Sequence, residues 1–295
     1  VGETYTDNVN LDPPGQERAD LITQVSPRLS LRGRSRRLRL DFDYRMQNLI
    51  FMRDNASNTI NHQLQANGSA ELAQDFLFLD AKSNIGQVVI SPEDRTPLTT
   101  VTGAGNLSNV ATFSISPFVR RDFAGLADTL LQYTYSEVRV ERGASDSQSN
   151  DIRATLRSGR KFTRLRWSAD YQNHQVNRET ASDVNFENAN GELRYRLSRA
   201  FSLLARAGYA SNDFETTQAT NLDGSFWSVG LAWTPNRYLT LEATYGPRNK
   251  DIAVNWTPNV RNSLQVAYRN RSVGLNRGGT WFGRFSHRTR RTNGT

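Results

Sequence analysis

The chain's 295 residues suffice for one large or two ordinary domains. It contains no cysteine, which excludes disulfides, thiolate metal sites and c-type haem attachment, and no apolar run long enough for a helical membrane span. Its formal charge of +8 rests on arginine, since of 37 basic residues only Lys82, Lys161 and Lys250 are lysines; these charges spread along the chain instead of forming the patch or tail of a nucleic-acid binder, so nucleic acid is not an expected partner.

Period-two alternation is the dominant signal, and no helical period accompanies it. In the first clear segment, Arg36–Gln47, one face carries Leu38, Leu40, Phe42, Tyr44 and Met46. The other carries Arg37, Arg39, Asp41, Asp43, Arg45 and Gln47. Further along, Leu165, Trp167, Ala169 and Tyr171 oppose Arg164, Arg166, Ser168, Asp170 and Gln172. Leu193, Tyr195 and Leu197 then oppose Glu192, Arg194 and Arg196, and Phe201, Leu203, Ala205, Ala207 and Tyr209 oppose Arg206. Such segments are strands with one apolar and one polar face.

The connections alternate in length. Short turns are expected near 33–35, 73–75, 122–124, 159–161, 198–199, Pro235-Asn236 and Pro258-Asn259. Longer polar stretches lie at 12–19, 54–58, 91–108, 142–150, 178–185, 213–224, 246–251 and 272–278. Short at one end and long at the other is the pattern of an up-and-down antiparallel transmembrane β-barrel, here of about 16 strands by the rule of roughly ten alternating residues per strand. The repeated unit, Trp233–Tyr245 and Trp256–Tyr268, is read as one hairpin written twice, with Pro235 and Pro258 at the second turn position. The longest polar stretch, Ser91–Asn109, reads as a solvated outer loop; a lumen constriction is the other option.

The parity assigns a lipid-facing aromatic set of Tyr44, Trp167, Tyr171, Tyr195, Tyr209, Trp227, Trp233, Tyr245, Trp256 and Tyr268, forming two interfacial girdles. It assigns to the lumen Arg37, Arg39, Arg45, Arg153, Arg157, Arg164, Arg166, Asp170, Glu192, Arg194, Arg196, Arg206, Arg269 and Arg284. Two readings of that wall stand side by side: a cross-strand salt-bridge ladder, and an electropositive pore in which arginines outnumber acids. No catalytic residue, metal site or cofactor is expected. Ser168, Asp170 and His174 share a strand face, but neighbours two apart are about 7 Å from one another, too far for a nucleophile–base pair. His62 and His287 fall in register with apolar residues, and no metal-ligand spacing is present.

Three segments, Thr4–Leu11 (TYTDNVNL), Asp20–Arg45 and Asn61–Leu72, resemble the outer-membrane β-barrel proteins associated with PEP-CTERM and exopolysaccharide loci, which overlap the porin 2-like β-barrel group. Leu77–Pro92, Tyr195–Phe214 and Ala232–Arg248 extend the likeness over essentially the whole chain. The resemblance implies a Gram-negative outer membrane and contact with its lipid and lipopolysaccharide. It also implies passage of an anionic saccharide or exopolysaccharide. A structural sleeve for a plug, a lipoprotein or an electron-carrying periplasmic partner is the alternative; an outer-membrane enzyme and a soluble β-solenoid are further competitors. The whole of 1–295 is read as one barrel domain. Its ending, RTRRTNGT, departs from the terminal aromatic strand usual in such barrels, so further sequence, a larger barrel and an unpaired edge at Trp281–Arg288 are expected.

Overall fold

The computed structural model describes residues 1–53, 58–90, 106–143, 145–180, 182–214, 223–273, 277–289 and 293–294. Among these the chain is all-β, with seventeen up-and-down antiparallel strands and one further two-residue strand, and no helix. Much of the expected long connections, including residues 91–105 and 215–222, lies outside the described residues. The chain forms two compact units: Val1–Phe118, Thr134–Asn150 and Val176–Ser182 make the first, and Val119–Tyr133, Asp151–Gln175 and Asp183–Thr295 the second. Strands β7 (Leu107–Asp122), β8 (Ala127–Val140), β9 (Ser147–Ser158) and β10 (Leu165–Arg178) have residues in both.

In the first unit, β1 (Gly2–Thr6) pairs with β2 (Asp20–Val25). β2 and β3 (Arg28–Arg34) then share one register against β4 (Leu38–Phe51): Val25 lies opposite Asn48 and Arg28 opposite Arg45. They are therefore a single strand interrupted at Pro27, which accepts from the Met46 N–H at 3.1 Å but has no N–H to return. Counted as one, they bring the total to the expected sixteen. β5 (Thr59–Ala73) and β6 (Leu77–Val89) continue the meander. Like faces like across each pair. Leu38, Leu40, Phe42 and Tyr44 oppose Ala70, Gly68, Ala66 and Leu64, while Arg39, Asp41, Asp43 and Arg45 oppose Ser69, Asn67, Gln65 and Gln63.

The β1–β2 connection folds back on itself. The Asn8 side chain accepts from the Asp12 N–H at 2.7 Å and donates to the Asp12 carbonyl at 2.8 Å. That turn carries Val9 into a buried cluster with Ile22, Leu49 and Phe51. Leu49 and Phe51 have the parity of Asp43 and Arg45 on β4, and Ile22 pairs with Phe51, so the polar face of β4 turns apolar at its long-connection end. Burial of each such side chain contributes about 1.5–3 kcal/mol.

The second unit holds β11 (Val184–Arg196), β12 (Phe201–Phe214), β13 (Gly224–Asn236), β14 (Leu239–Tyr245), β15 (Asn249–Asn259), β16 (Asn262–Arg271) and β17 (Gly278–Arg288); β17 also pairs with β18 (Asn293–Gly294). Register is unbroken from β11 to β17 apart from two matching irregularities, at Trp233/Asn236 and Trp256/Asn259. These correct the reading of the repeated unit. Pro235 and Pro258 lie in the irregular strand ends, where no N–H is needed, and the turns fall two residues later at Arg237-Tyr238 and Val260-Arg261. Asn236 and Asn259 set them, accepting from the N–H of Tyr238 at 2.8 Å and of Arg261 at 2.9 Å, the Asx geometry that Asn favours.

A second correction concerns 246–251, expected as a long connection. Only Gly246–Arg248 connect, and Asn249 and Asp251 belong to β15. The tight bend needs glycine, since a Cβ on Gly246 would stand 1.8 Å from the Trp227 carbonyl oxygen.

Candidate functional site

The two faces of the second unit differ in chemistry. Its apolar face runs across Leu193, Ala205, Val229 and Tyr245 in one row and Tyr195, Leu203, Leu231, Ala243, Ile252, Tyr268 and Trp281 in the next. Large side chains here are open to the surroundings: Trp227 is 54% exposed, Ile252 55% and Trp281 73%. A contiguous field of this kind meets lipid. Aromatics collect at both ends of the field. Phe201 stacks with Trp233 at the short-turn end (6.4 Å between centroids), and Tyr268 meets Trp281 at the long-connection end (4.8 Å). Of the ten aromatics expected towards lipid, Tyr195, Tyr209, Trp227, Trp233, Tyr245, Trp256 and Tyr268 lie in this face by register, and Trp167 and Tyr171 have the parity of Leu165. Tyr44 lies on the apolar face of the first unit, where its hydroxyl meets His62 Nδ1 at 2.8 Å.

The opposite face of the second unit is polar and carries a zipper of charges across β11 to β16. Arg194 reaches Glu242 at 2.6 Å and Glu192 at 3.6 Å. Arg206 touches three acids: Glu192 at 2.9 Å, Glu242 at 3.4 Å and Asp251 at 3.5 Å. Arg269 closes on Asp251 at 2.8 Å, and the Asn249 amide donates to the same carboxylate at 2.7 Å. Asp251 is 11% exposed and Glu242 16%, so these are shielded pairs whose charges answer one another. Arg271 Nε donates to the side-chain Oδ1 of Asn249 at 3.4 Å, and its guanidinium lies 4.2 Å over the Phe226 ring, a cation–π contact. That ring packs on Gly208, where a Cβ would come within 2.5 Å of it.

Towards the short turns the balance breaks. Thr163, Arg164, Arg166, Arg194, Arg196, Arg199, Ser202 and Thr234 line a concavity of about 390 Å³. Arg194 is held by Glu242, but none of Arg164, Arg166, Arg196 and Arg199 has a carboxylate partner among the described residues. Arg196 faces Ser202 across β12.

The remaining expected lumen residues fall elsewhere. Arg157 approaches Asp170 at 3.7 Å, and Asp170 accepts from the Thr155 hydroxyl at 2.9 Å; Arg153 has the parity of Arg157 on β9. Arg284 faces Gln265 and lies 5.9 Å over the Phe282 ring. In the first unit, Arg39 and Arg45 sit opposite Arg34 and Arg28, and Arg37 reaches Gln74 from a turn at 3.4 Å. Arg28 pairs with Asp43 at 2.6 Å. His174 approaches Asp151 at 3.5 Å and stacks on Phe186. Ser168 stands six residues away on the same strand, roughly 20 Å at about 3.3 Å per residue. Sequence reading missed Asp251, Asn249, Arg271 and Arg199. For Asp251 and Asn249 the alternation of Ile252, Val254 and Trp256 was the available signal, and for Arg271 that of Leu264, Val266 and Tyr268; Arg199 sits in a turn, where parity gives none.

No protein-family model matches the chain, and no curated protein matches it in sequence. Among solved structures, the FrpB iron transporter from Neisseria meningitidis (F3-3 variant) superposes with a TM-score of 0.50 at 10% identity, covering 90% of this chain and 58% of that one. Its F5-1 variant gives 0.49 at 10% identity, over 92% and 58%. The alcaligin outer-membrane receptor FauA from Bordetella pertussis gives 0.44 at 13%, over 91% and 48%. The chain thus spans little more than half the length of the first two. The fold is that of an antiparallel up-and-down outer-membrane β-barrel, with one face towards lipid and one towards water, and its place is the bacterial outer membrane.

Proposed function

We propose that the chain forms a porin-like channel of the outer membrane that passes anionic solutes, with saccharides carrying anionic groups, exopolysaccharide among them, as cargo. The observation that carries the reading is the unneutralised arginine group on the polar face at the short-turn end, next to a zipper that is nearly charge-balanced. A water-filled wall with fixed positive charge lowers the barrier for anions and raises it for cations. No bond is broken in this reading, and lipid and lipopolysaccharide are the surroundings of the apolar face. The word transporter in the name of the Neisseria protein agrees with passage across this membrane. The saccharide cargo and the exopolysaccharide setting rest on the resemblance of Asp20–Arg45 and its companion segments.

Planar-bilayer conductance tests the proposal. A reversal potential shifted towards that of chloride in a salt gradient is expected, with the shift growing as salt falls because the Debye length lengthens. Cation selectivity, or no conductance at all, sinks it. A second reading, a sleeve that holds protein, draws on the Val9, Ile22, Leu49 and Phe51 cluster, where the chain already covers part of the polar face of the first unit with apolar side chains.

A further inference from the structure

The zipper and the short-turn arginines lie on one sheet face, yet only the zipper is internally satisfied. Arg166 is the second residue of β10, and Arg164 stands in the bend that leads into that strand. Arg196 comes from the end of β11 and Arg199 from the turn that follows. All four border one concavity with the hydroxyls of Thr163, Ser202 and Thr234, and no acidic residue lines it. Gathering like charges into a recess is unfavourable unless something answers them. Farther along β11 and β12 the chain answers with Glu192, and it adds Glu242 and Asp251 from β14 and β15. At this end it supplies only hydroxyls, which donate to oxygens and add no charge.

We infer that this recess is a binding seat for a multiply charged oxyanion, a phosphate or pyrophosphate group borne by a solute at the short-turn end. The inference rests on the channel reading for its biological sense but not for its chemistry. Guanidinium groups offer planar pairs of N–H donors that match two oxygens of a phosphate at once, and four of them exceed what one carboxylate can neutralise. The hydroxyls complete the donor set, and Arg194, fixed by Glu242 at 2.6 Å, forms the wall where seat and zipper meet. The recess, at about 390 Å³, is of the size of small-ligand sites.

The test is calorimetric titration of inorganic pyrophosphate into the full chain refolded in detergent. Saturable one-to-one binding is expected, weakened more than about tenfold in Arg164→Gln/Arg166→Gln/Arg196→Gln, because several charge-assisted hydrogen bonds are lost together. Each single substitution is expected to weaken it about threefold, which keeps the inference testable if the triple variant folds poorly. Lys250→Gln, on the other face over the Tyr245 ring, serves as a control for net charge and should bind as wild type. Absence of saturable binding, equal binding by the arginine variants, or complete displacement by chloride at matched ionic strength overturns the seat. Anion-selective conductance without pyrophosphate binding removes the seat and leaves the channel; binding without conductance removes the channel and leaves the seat.

Discussion

Arg194 and Arg196 are two residues apart on β11, on the same face, and do different things. Arg194 meets Glu242 at 2.6 Å and is drawn into a zipper that runs to Arg269. Arg196 faces Ser202 and keeps its charge. Residue type and face are shared, so the difference lies in what neighbouring strands bring opposite. An arginine on a barrel wall is structural where an acid arrives from the side and electrostatic where none does. The two readings of the wall, salt-bridge ladder and electropositive pore, therefore divide between its parts: Arg206, with three acids around it, belongs to the ladder, and Arg166 belongs to the recess.

The comparison presumes that both arginine groups face water. Leu241→Arg tests that premise on the other face and should cost about 2–4 kcal/mol if Leu241 lies near the bilayer midplane, measured by reversible unfolding from lipid vesicles. Thr240→Arg, one residue back on the polar face, should cost less than about 1 kcal/mol. Equal tolerance at both sites would mean that the faces are assigned the wrong way round.

The zipper itself is probed by Asp251→Ala. This leaves Arg206 and Arg269 short of an acceptor in a shielded place, and a loss of roughly 2–3 kcal/mol is expected in the same assay, below the range for a fully buried pair because Arg269 stays open to water. A change within experimental error would place Asp251 among the weak surface pairs.

Asn259→Ala removes the side-chain acceptor for the N–H groups of Arg261 and Asn262, at 2.9 and 3.0 Å. About 1 kcal/mol is expected, in keeping with one lost side-chain-to-backbone acceptor. Asn236→Ala should match it, since the two hairpins share their geometry. A marked difference between the two would show that the repeated unit is not equivalent in energy.

The smallest effect on stability, within about 0.5 kcal/mol, is expected for Arg166→Gln, which has no partner to lose. Its effect should appear in selectivity instead, as a reversal potential closer to zero. Loss of stability comparable to Asp251→Ala would dissolve the distinction between zipper and recess.

Much of the architecture was legible in the chain. Strict period two sorted Leu193, Tyr195 and Leu203 from Glu192, Arg194 and Arg206 because strand side chains point alternately to the two faces, so a pattern in sequence is already a pattern in space. The order of short turns and long connections implied the meander. Where the reading failed, local signals competed. Proline drew attention to Pro235 and Pro258, while Asn236 and Asn259 made the turns by side-chain hydrogen bonds. Polar residues from Gly246 to Asp251 resembled a loop, while the inward side of a barrel strand is itself polar.

What sequence determined by itself is the face of each strand residue, since that depends only on parity along one strand. Partnership needed the tertiary structure. Arg194 and Glu242 are 48 positions apart and meet only because β11 to β14 lie side by side in one register. Asp251 joins Arg206 and Arg269 for the same reason, and Val9 reaches Phe51 only because its loop turns inward. Strand spacing of about 4.8 Å lets a long guanidinium side chain span a neighbouring strand, so the charge state of each wall segment is a property of several strands together.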